Sequence, residues 1–106
     1  MPHFFTTPLR GLRFRPEAAR EAVLSLSAGD LVDIACEPTN PHDANAIQIQ
    51  VNGIHVGYVA REVACNVAPL MQAGLPARAE IVGFEGPLAP LIEITLPSEA
   101  EAEGND

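Results

Sequence analysis

Ala46–Val59 reads AIQIQVNGIHVGYV, two runs of alternating side chains joined by Asn52-Gly53. Successive residues of a strand face opposite sides, and a two-residue type I′ loop needs positive φ at both positions, so this pattern predicts a β-hairpin. Setting Val51 opposite Ile54 pairs Ile49 with Val56 and Ile47 with Tyr58. Six apolar or aromatic side chains then share one face, while Gln48, Gln50 and His55 take the other. Gly57 is the position at which a bulge would shift the far pairs by one.

Outward from the hairpin, LVDIACE (Leu31–Glu37) alternates as a half-buried strand does. PLRGLRFR (Pro8–Arg15) alternates Leu or Phe with Arg around Gly11 and is predicted as a further strand. PEAAREAVLSLSAGD predicts a short helix that opens at Pro16, sets Glu17 and Glu21 near its positive end and closes at Gly29. Downstream, REVACNVAPLMQAG places Val63, Val67, Leu70 and Met71 on one helical face, with Pro69 expected to kink or interrupt the helix and Gly74 expected just past its end. ARAEIVGFE (Ala77–Glu85) and LIEITL (Leu91–Leu96) complete five or six short strands. The expected fold is mainly β with two short helices, a small, partly closed β-barrel of the OB-like or SH3-like kind, with a ferredoxin-like sandwich as the alternative. One domain, residues 1–96, is expected, followed by an acidic disordered tail over 97–106.

The chain has 106 residues and a formal net charge of -8, from 14 acidic residues against 6 basic ones. All the basic residues are arginine, and such a balance argues against unspecific wrapping of a polyanion. The charge is uneven: Glu99, Glu101, Glu103 and Asp106 fall in the last ten residues, whereas Arg10, Arg13 and Arg15 make a local basic edge near the start. Cys36 and Cys65 lack the close pairing of a zinc ribbon or redox motif and are expected to be buried small hydrophobes, without a disulfide. No apolar run approaches the roughly 18 residues a spanning helix needs, so a soluble, cytoplasmic protein is expected. No Gly-rich P-loop is present, which removes an ATPase.

The segment EPTNPHDANAI (Glu37–Ile47) carries more polar punctuation than a turn requires. Pro38 and Pro41 hold the preceding residues out of the helical region, and Asp43 or Asn45 can close an Asx turn on its own backbone. A turn explains those features but not the concentration of Asn40, His42, Asp43 and Asn45, which the extended hairpin register brings towards Tyr58 and Arg61. A metal at His42 and Asp43 would need two more ligands, and none is apparent.

GLRF, EPTNPHDANAIQIQVNG and VGYVAREVACNVAPLMQAG together resemble the HIRAN domain, over about Leu9–Gly74. The N-P-x-D-x-N-A-I core followed by V-G-Y-V-x-R-E is the specific part. HIRAN domains occur at the N-terminus of helicase-like fork-remodelling ATPases and as small stand-alone bacterial proteins. The resemblance implies an OB-like barrel with added helices and a non-catalytic module that binds the 3′-hydroxyl end of single-stranded DNA in a repair or replication-fork context. It calls for no cofactor or metal, and for a helicase or nuclease on another chain as partner. Asp43 would accept a hydrogen bond from a free hydroxyl and repel a phosphate. Phe14 and His42 would stack on the last bases, Arg13 and Arg61 would hold the terminal phosphates, and Asn40 and Tyr58 would add hydrogen bonds. His42 stands where family members carry tyrosine, which weakens stacking and introduces a pH-sensitive ring. Arg15 replaces a second aromatic, and only Phe84 is available for a late phenylalanine. Two alternatives follow: a protein-interaction adaptor that keeps the fold without strong DNA binding, and a small phosphoesterase using Asp43, His42 and Arg61.

Overall fold

The computed structural model describes residues 1–98, so all but the first two residues of the stretch read as an acidic tail lie outside the described residues. In chain order the elements are β1 (His3–Arg10), a 3-10 turn (Leu12–Phe14), α1 (Glu17–Leu24), β2 (Leu31–Cys36), β3 (Ile47–Val51), β4 (Ile54–Val59), α2 (Arg61–Gln72), β5 (Arg78–Phe84) and β6 (Pro90–Leu96). The six strands form a closed barrel in the order β1-β4-β3-β2-β5-β6. Every pairing is antiparallel. The expected OB-like barrel is therefore present, closed rather than partly closed. Closure depends on β1 serving two neighbours: His3–Pro8 pairs with β6, and Leu9 and Arg10 pair with Val59 and Tyr58 of β4.

Alternation builds the interior. Along β6, Pro90, Ile92, Ile94 and Leu96 are buried and the intervening residues are half-buried. Ile47, Ile49 and Val51 of β3 and Val56 and Val59 of β4 join them in one core with Ile81 of β5. The β3–β4 loop is the expected type I′ turn, with φ of 50° at Asn52 and 82° at Gly53. Beyond it the register slips: Val51 faces Ile54 and Gln50 faces His55, but Ile49 faces Gly57 and Gln48 faces Tyr58. A one-residue slip exchanges the faces of everything after it, so Tyr58 leaves the apolar side on which the unbulged register would have put it. Gly57 permits the bulge because β1 crosses there. A Cβ at this position would meet the Arg10 carbonyl oxygen at 2.4 Å and the Leu9 side chain at 2.8 Å.

Helix α2 caps the barrel with Ala64, Val67 and Ala68 buried and Val63, Leu70 and Met71 packed against the core. Its start is tied to β1 by the fully buried Thr7, whose hydroxyl oxygen accepts the Ala60 N–H at 2.8 Å and whose proton goes to the Pro8 carbonyl. Its end is a Schellman motif: the Gly74 N–H reaches the Met71 carbonyl at 3.0 Å and the Leu75 N–H reaches that of Leu70 at 3.1 Å, with Gly74 at φ 99°.

Four local expectations change. The first strand begins at His3 and stops at Arg10, because Gly11, at φ 82°, turns the chain into the 3-10 turn instead of continuing the alternation. Helix α1 starts after Pro16 and stops at Leu24, and Gly29 serves a separate turn in which its N–H bonds the Ile81 carbonyl. Pro69 does not interrupt α2; it is exposed, so the bond it fails to donate is lost on the solvent side, where water substitutes. Cys65 is exposed on the outer face of α2, whereas Cys36 is partly buried with its sulfur 3.9 Å from that of Met71. No helix among the described residues is long and apolar enough to cross a membrane.

Candidate nucleic-acid interface

The loop between β2 and β3 is braced by its own polar side chains. Its ends are joined by the Glu37 N–H to the Ala46 carbonyl, 2.8 Å. Inside it, Asn40 Oδ1 accepts the backbone N–H groups of His42 (2.8 Å) and Asp43 (3.2 Å), and Asp43 Oδ1 accepts that of Asn45 (2.9 Å). These are successive Asx turns, the structural role the prolines and Asx residues suggested. They leave Asp43 Oδ2 facing outwards, 3.5 Å from Arg61 Nε. Arg61 also donates to the His42 carbonyl at 3.3 Å. With the Asp43 side chain 21% exposed and that of Arg61 72% exposed, this is a solvated pair open to competition from a ligand.

Opposite the loop stands Tyr58, on the outer face of β4 where the bulge has put it. Its hydroxyl donates to Glu37 Oε1 at 2.9 Å, and the same oxygen accepts Asn40 Nδ2 at 3.0 Å. Glu37 Oε2 accepts the amide of Gln48, whose own oxygen accepts Gln50. The His55 and Tyr58 rings meet in a T-shaped arrangement, with centroids 4.9 Å apart and planes at 87°. The Asn40 hydrogen bond, helped by those from Gln48 and Tyr58, holds the Glu37 carboxyl below the ordinary carboxylate range despite some opposing burial. Burial, then the hydrogen bond to Glu37 and its charge, push the Tyr58 phenol up.

Between these walls lies an open pocket of about 460 Å³. Five of the seven residues expected to form the site line it: Asn40, His42, Asp43, Tyr58 and Arg61. Arg13 and Phe14 do not. They sit on the 3-10 turn next to Gly11, with the Arg13 guanidinium 4.7 Å above the Phe14 ring and that ring 76% exposed. Arg15 is drawn to the hairpin, donating from Nε to the His55 carbonyl at 3.0 Å. Phe84 lies opposite Pro90 at the far end of β5 and does not line the pocket. Sequence reasoning missed Arg10 and Glu62, which join the lining, and Glu37, which braces it. Arg10 enters through its β1–β4 pairing with Tyr58, which no local pattern announces. Glu62 follows Arg61 in the first turn of α2, whose N-terminus opens on the pocket. Arg10 and Arg61 balance Asp43 and Glu62, so the pocket is near neutral on a strongly acidic protein. Among the described residues, no group of three or more His, Cys, Asp or Glu side chains is gathered to hold a metal.

The pocket thus opens between the β2–β3 loop and the start of α2 on a small closed antiparallel barrel. The family model matches residues 3–97, and the chain belongs to the HIRAN domain family. Among individual proteins, it is 41% identical over 56 residues to the mouse (Mus musculus) helicase-like transcription factor, a match covering 52% of this chain but 6% of that protein. Among solved structures it resembles a protein from Lactobacillus plantarum (TM-score 0.77, 20% identity, covering 91% of this chain and 97% of that one). It also resembles the HIRAN domain of human HLTF (TM-score 0.73, 21% identity, 95% and 81%), as well as that domain in its DNA-bound conformation (TM-score 0.64, 22% identity, 95% and 80%).

Proposed function

We propose that this chain is a non-catalytic nucleic-acid-binding module that takes the 3′-hydroxyl end of single-stranded DNA into the Asp43–Arg61 pocket, serving a helicase or nuclease on another chain in repair or at replication forks. The observation that carries the reading is the outward-facing Asp43 Oδ2 beside the solvated Arg61, with Arg10 in the same lining. An acceptor carboxylate beside one guanidinium, with a second arginine in the same lining, suits a strand terminus, where a hydroxyl donor and a phosphate lie one nucleotide apart. An internal phosphodiester or a 3′-phosphate would set negative charge against Asp43. Few phosphates are needed, so a net charge of -8 is compatible with weak, end-selective binding. Family membership, and the DNA-bound state of the HLTF domain it resembles, support nucleic acid as the ligand class.

Fluorescence anisotropy at low salt with matched oligonucleotides ending in a 3′-hydroxyl or a 3′-phosphate tests the proposal. A charge-assisted hydrogen bond is worth about 1.5–3 kcal/mol, so wild-type protein should prefer the hydroxyl end by roughly tenfold or more. Asp43→Ala should erase the preference, partly by weakening the hydroxyl end and partly by freeing Arg61 for the phosphate. Equal binding of both ends by wild type, or an Asp43→Ala variant that keeps the preference, refutes it.

A further inference from the structure

We infer that Glu37 is a positioning residue for the pocket: by holding the Tyr58 proton it makes the phenol an acceptor towards the ligand, and so adds to the selection of a hydroxyl over a phosphate without touching either. The inference rests on the reading of the pocket as a hydroxyl-end site.

Counting hydrogen-bond valences leads there. A phenol has one proton, and Tyr58 spends it on Glu37 Oε1. What remains for the pocket is an oxygen lone pair, which welcomes a hydroxyl donor and offers nothing to a phosphate oxygen. Asn40, on the other wall, spends its oxygen on two backbone N–H groups and one of its amide protons on the same Glu37 oxygen, leaving one N–H outward. A single carboxylate therefore fixes the loop wall and the hairpin wall together, and through the Tyr58 proton it sets the polarity of the hairpin wall. Its second oxygen is held by Gln48, which Gln50 buttresses in turn, so the carboxylate has little freedom to rotate. The groups facing the phenol agree with this assignment. His55 Nε2 is engaged with the Gly57 carbonyl at 3.1 Å and Arg15 with the His55 carbonyl, which leaves the Glu37 oxygen as the acceptor within reach of the Tyr58 proton.

Glu37→Gln keeps the shape but replaces a pure acceptor with an amide that both donates and accepts, so the Tyr58 proton is no longer pinned. Two measurements test the inference. Tyr58 is the chain's single tyrosine and there is no tryptophan, so tyrosinate absorbance against pH reports this phenol alone. Glu37→Gln should lower its pKa towards the ordinary value by removing the nearby charge and weakening the hydrogen bond to a neutral one, leaving the effect of burial. In the oligonucleotide assay the same variant should narrow the preference for a 3′-hydroxyl over a 3′-phosphate several-fold, up to about tenfold. In a Tyr58→Phe background Glu37→Gln should lose the part of its effect on the preference that runs through the phenol and weaken both ends alike through the Asn40 wall, leaving the ratio between them unchanged.

An unmoved tyrosine pKa overturns the inference. So does equal weakening of both ends, which marks mere loosening of the loop, and so does a Glu37→Gln effect on the preference that persists in Tyr58→Phe. If wild type shows no end preference while the tyrosine pKa still falls in Glu37→Gln, Glu37 keeps its hold on Tyr58 and it is the ligand assignment that fails.

Discussion

Gly57→Ala should be the most damaging single-methyl change in this protein, for a reason that joins the fold to the pocket. Gly57 sits at φ 155°, in the half of the map that L-residues avoid, and its missing Cβ would lie 2.4 Å from the Arg10 carbonyl oxygen. That contact is backbone on both sides, so no rotamer relieves it. Either β1 moves off β4, giving up the Leu9–Val59 and Arg10–Tyr58 pairings that close the barrel, or the bulge unwinds and turns Tyr58 inwards. Backbone strain of about 1–3 kcal/mol plus overpacking of about 1–3 kcal/mol gives an expected loss of roughly 2–6 kcal/mol. Against a total stability of about 5–15 kcal/mol for a domain of this size, that is a large fraction.

The assay is urea unfolding followed by circular dichroism, comparing midpoints at constant slope. Gly53→Ala is the control: its φ of 82° is near the left-handed region that alanine enters at modest cost, and nothing lies within 4 Å of the added methyl, so it should lose only about 1 kcal/mol of strain. A Gly57→Ala variant no less stable than Gly53→Ala would refute the claim that the close approach of β1 dictates the bulge.

Two other outcomes follow from buried and half-buried polar groups. Thr7→Val keeps the shape of a fully buried side chain but strips the Ala60 N–H of its acceptor, so it should destabilise the fold by about 1–3 kcal/mol in the same urea assay, whereas a neutral result would show that Ala60 finds another partner. Acidification should lower the melting temperature in two stages. Burial, with the Arg15 charge, depresses His55 below 6.5, so the folded state binds fewer protons than the unfolded one and stability falls as pH drops below 6.5; Glu37, depressed below 4.5 chiefly by Asn40, adds a further loss below 4.5 as the pH approaches its lowered value. His55→Gln should remove the upper stage in a calorimetric series, and a melting temperature that rises between about pH 7 and 5 would contradict the sign.

The hairpin was legible because its signals are local: Asn52-Gly53 admits one tight turn, and Ile47, Ile49 and Val51 mark the inner face of β3 by spacing alone. Gly57 was legible as a possible bulge but not as a required one, since the atom that requires it, the Arg10 carbonyl, lies 47 positions away along the chain and belongs to another strand. The same distance hid Arg10 from the candidate site. The unbulged register instead assigned Tyr58 to the apolar face, and with it went the partnership with Glu37, which exists only on the outer one. Phe14 and Arg13 were placed in the site by resemblance alone, whereas the turn after Gly11 leaves them stacked on each other beyond the lining. The misses at Gly57, Arg10 and Tyr58 share one cause. The barrel closes where β1 meets β4 over Gly57, and that single crossing brings Arg10 to the pocket and turns Tyr58 towards Glu37. Closure of the fold and assembly of the binding walls are therefore one physical event, and a change that prevents the first should abolish the second before any pocket residue is altered.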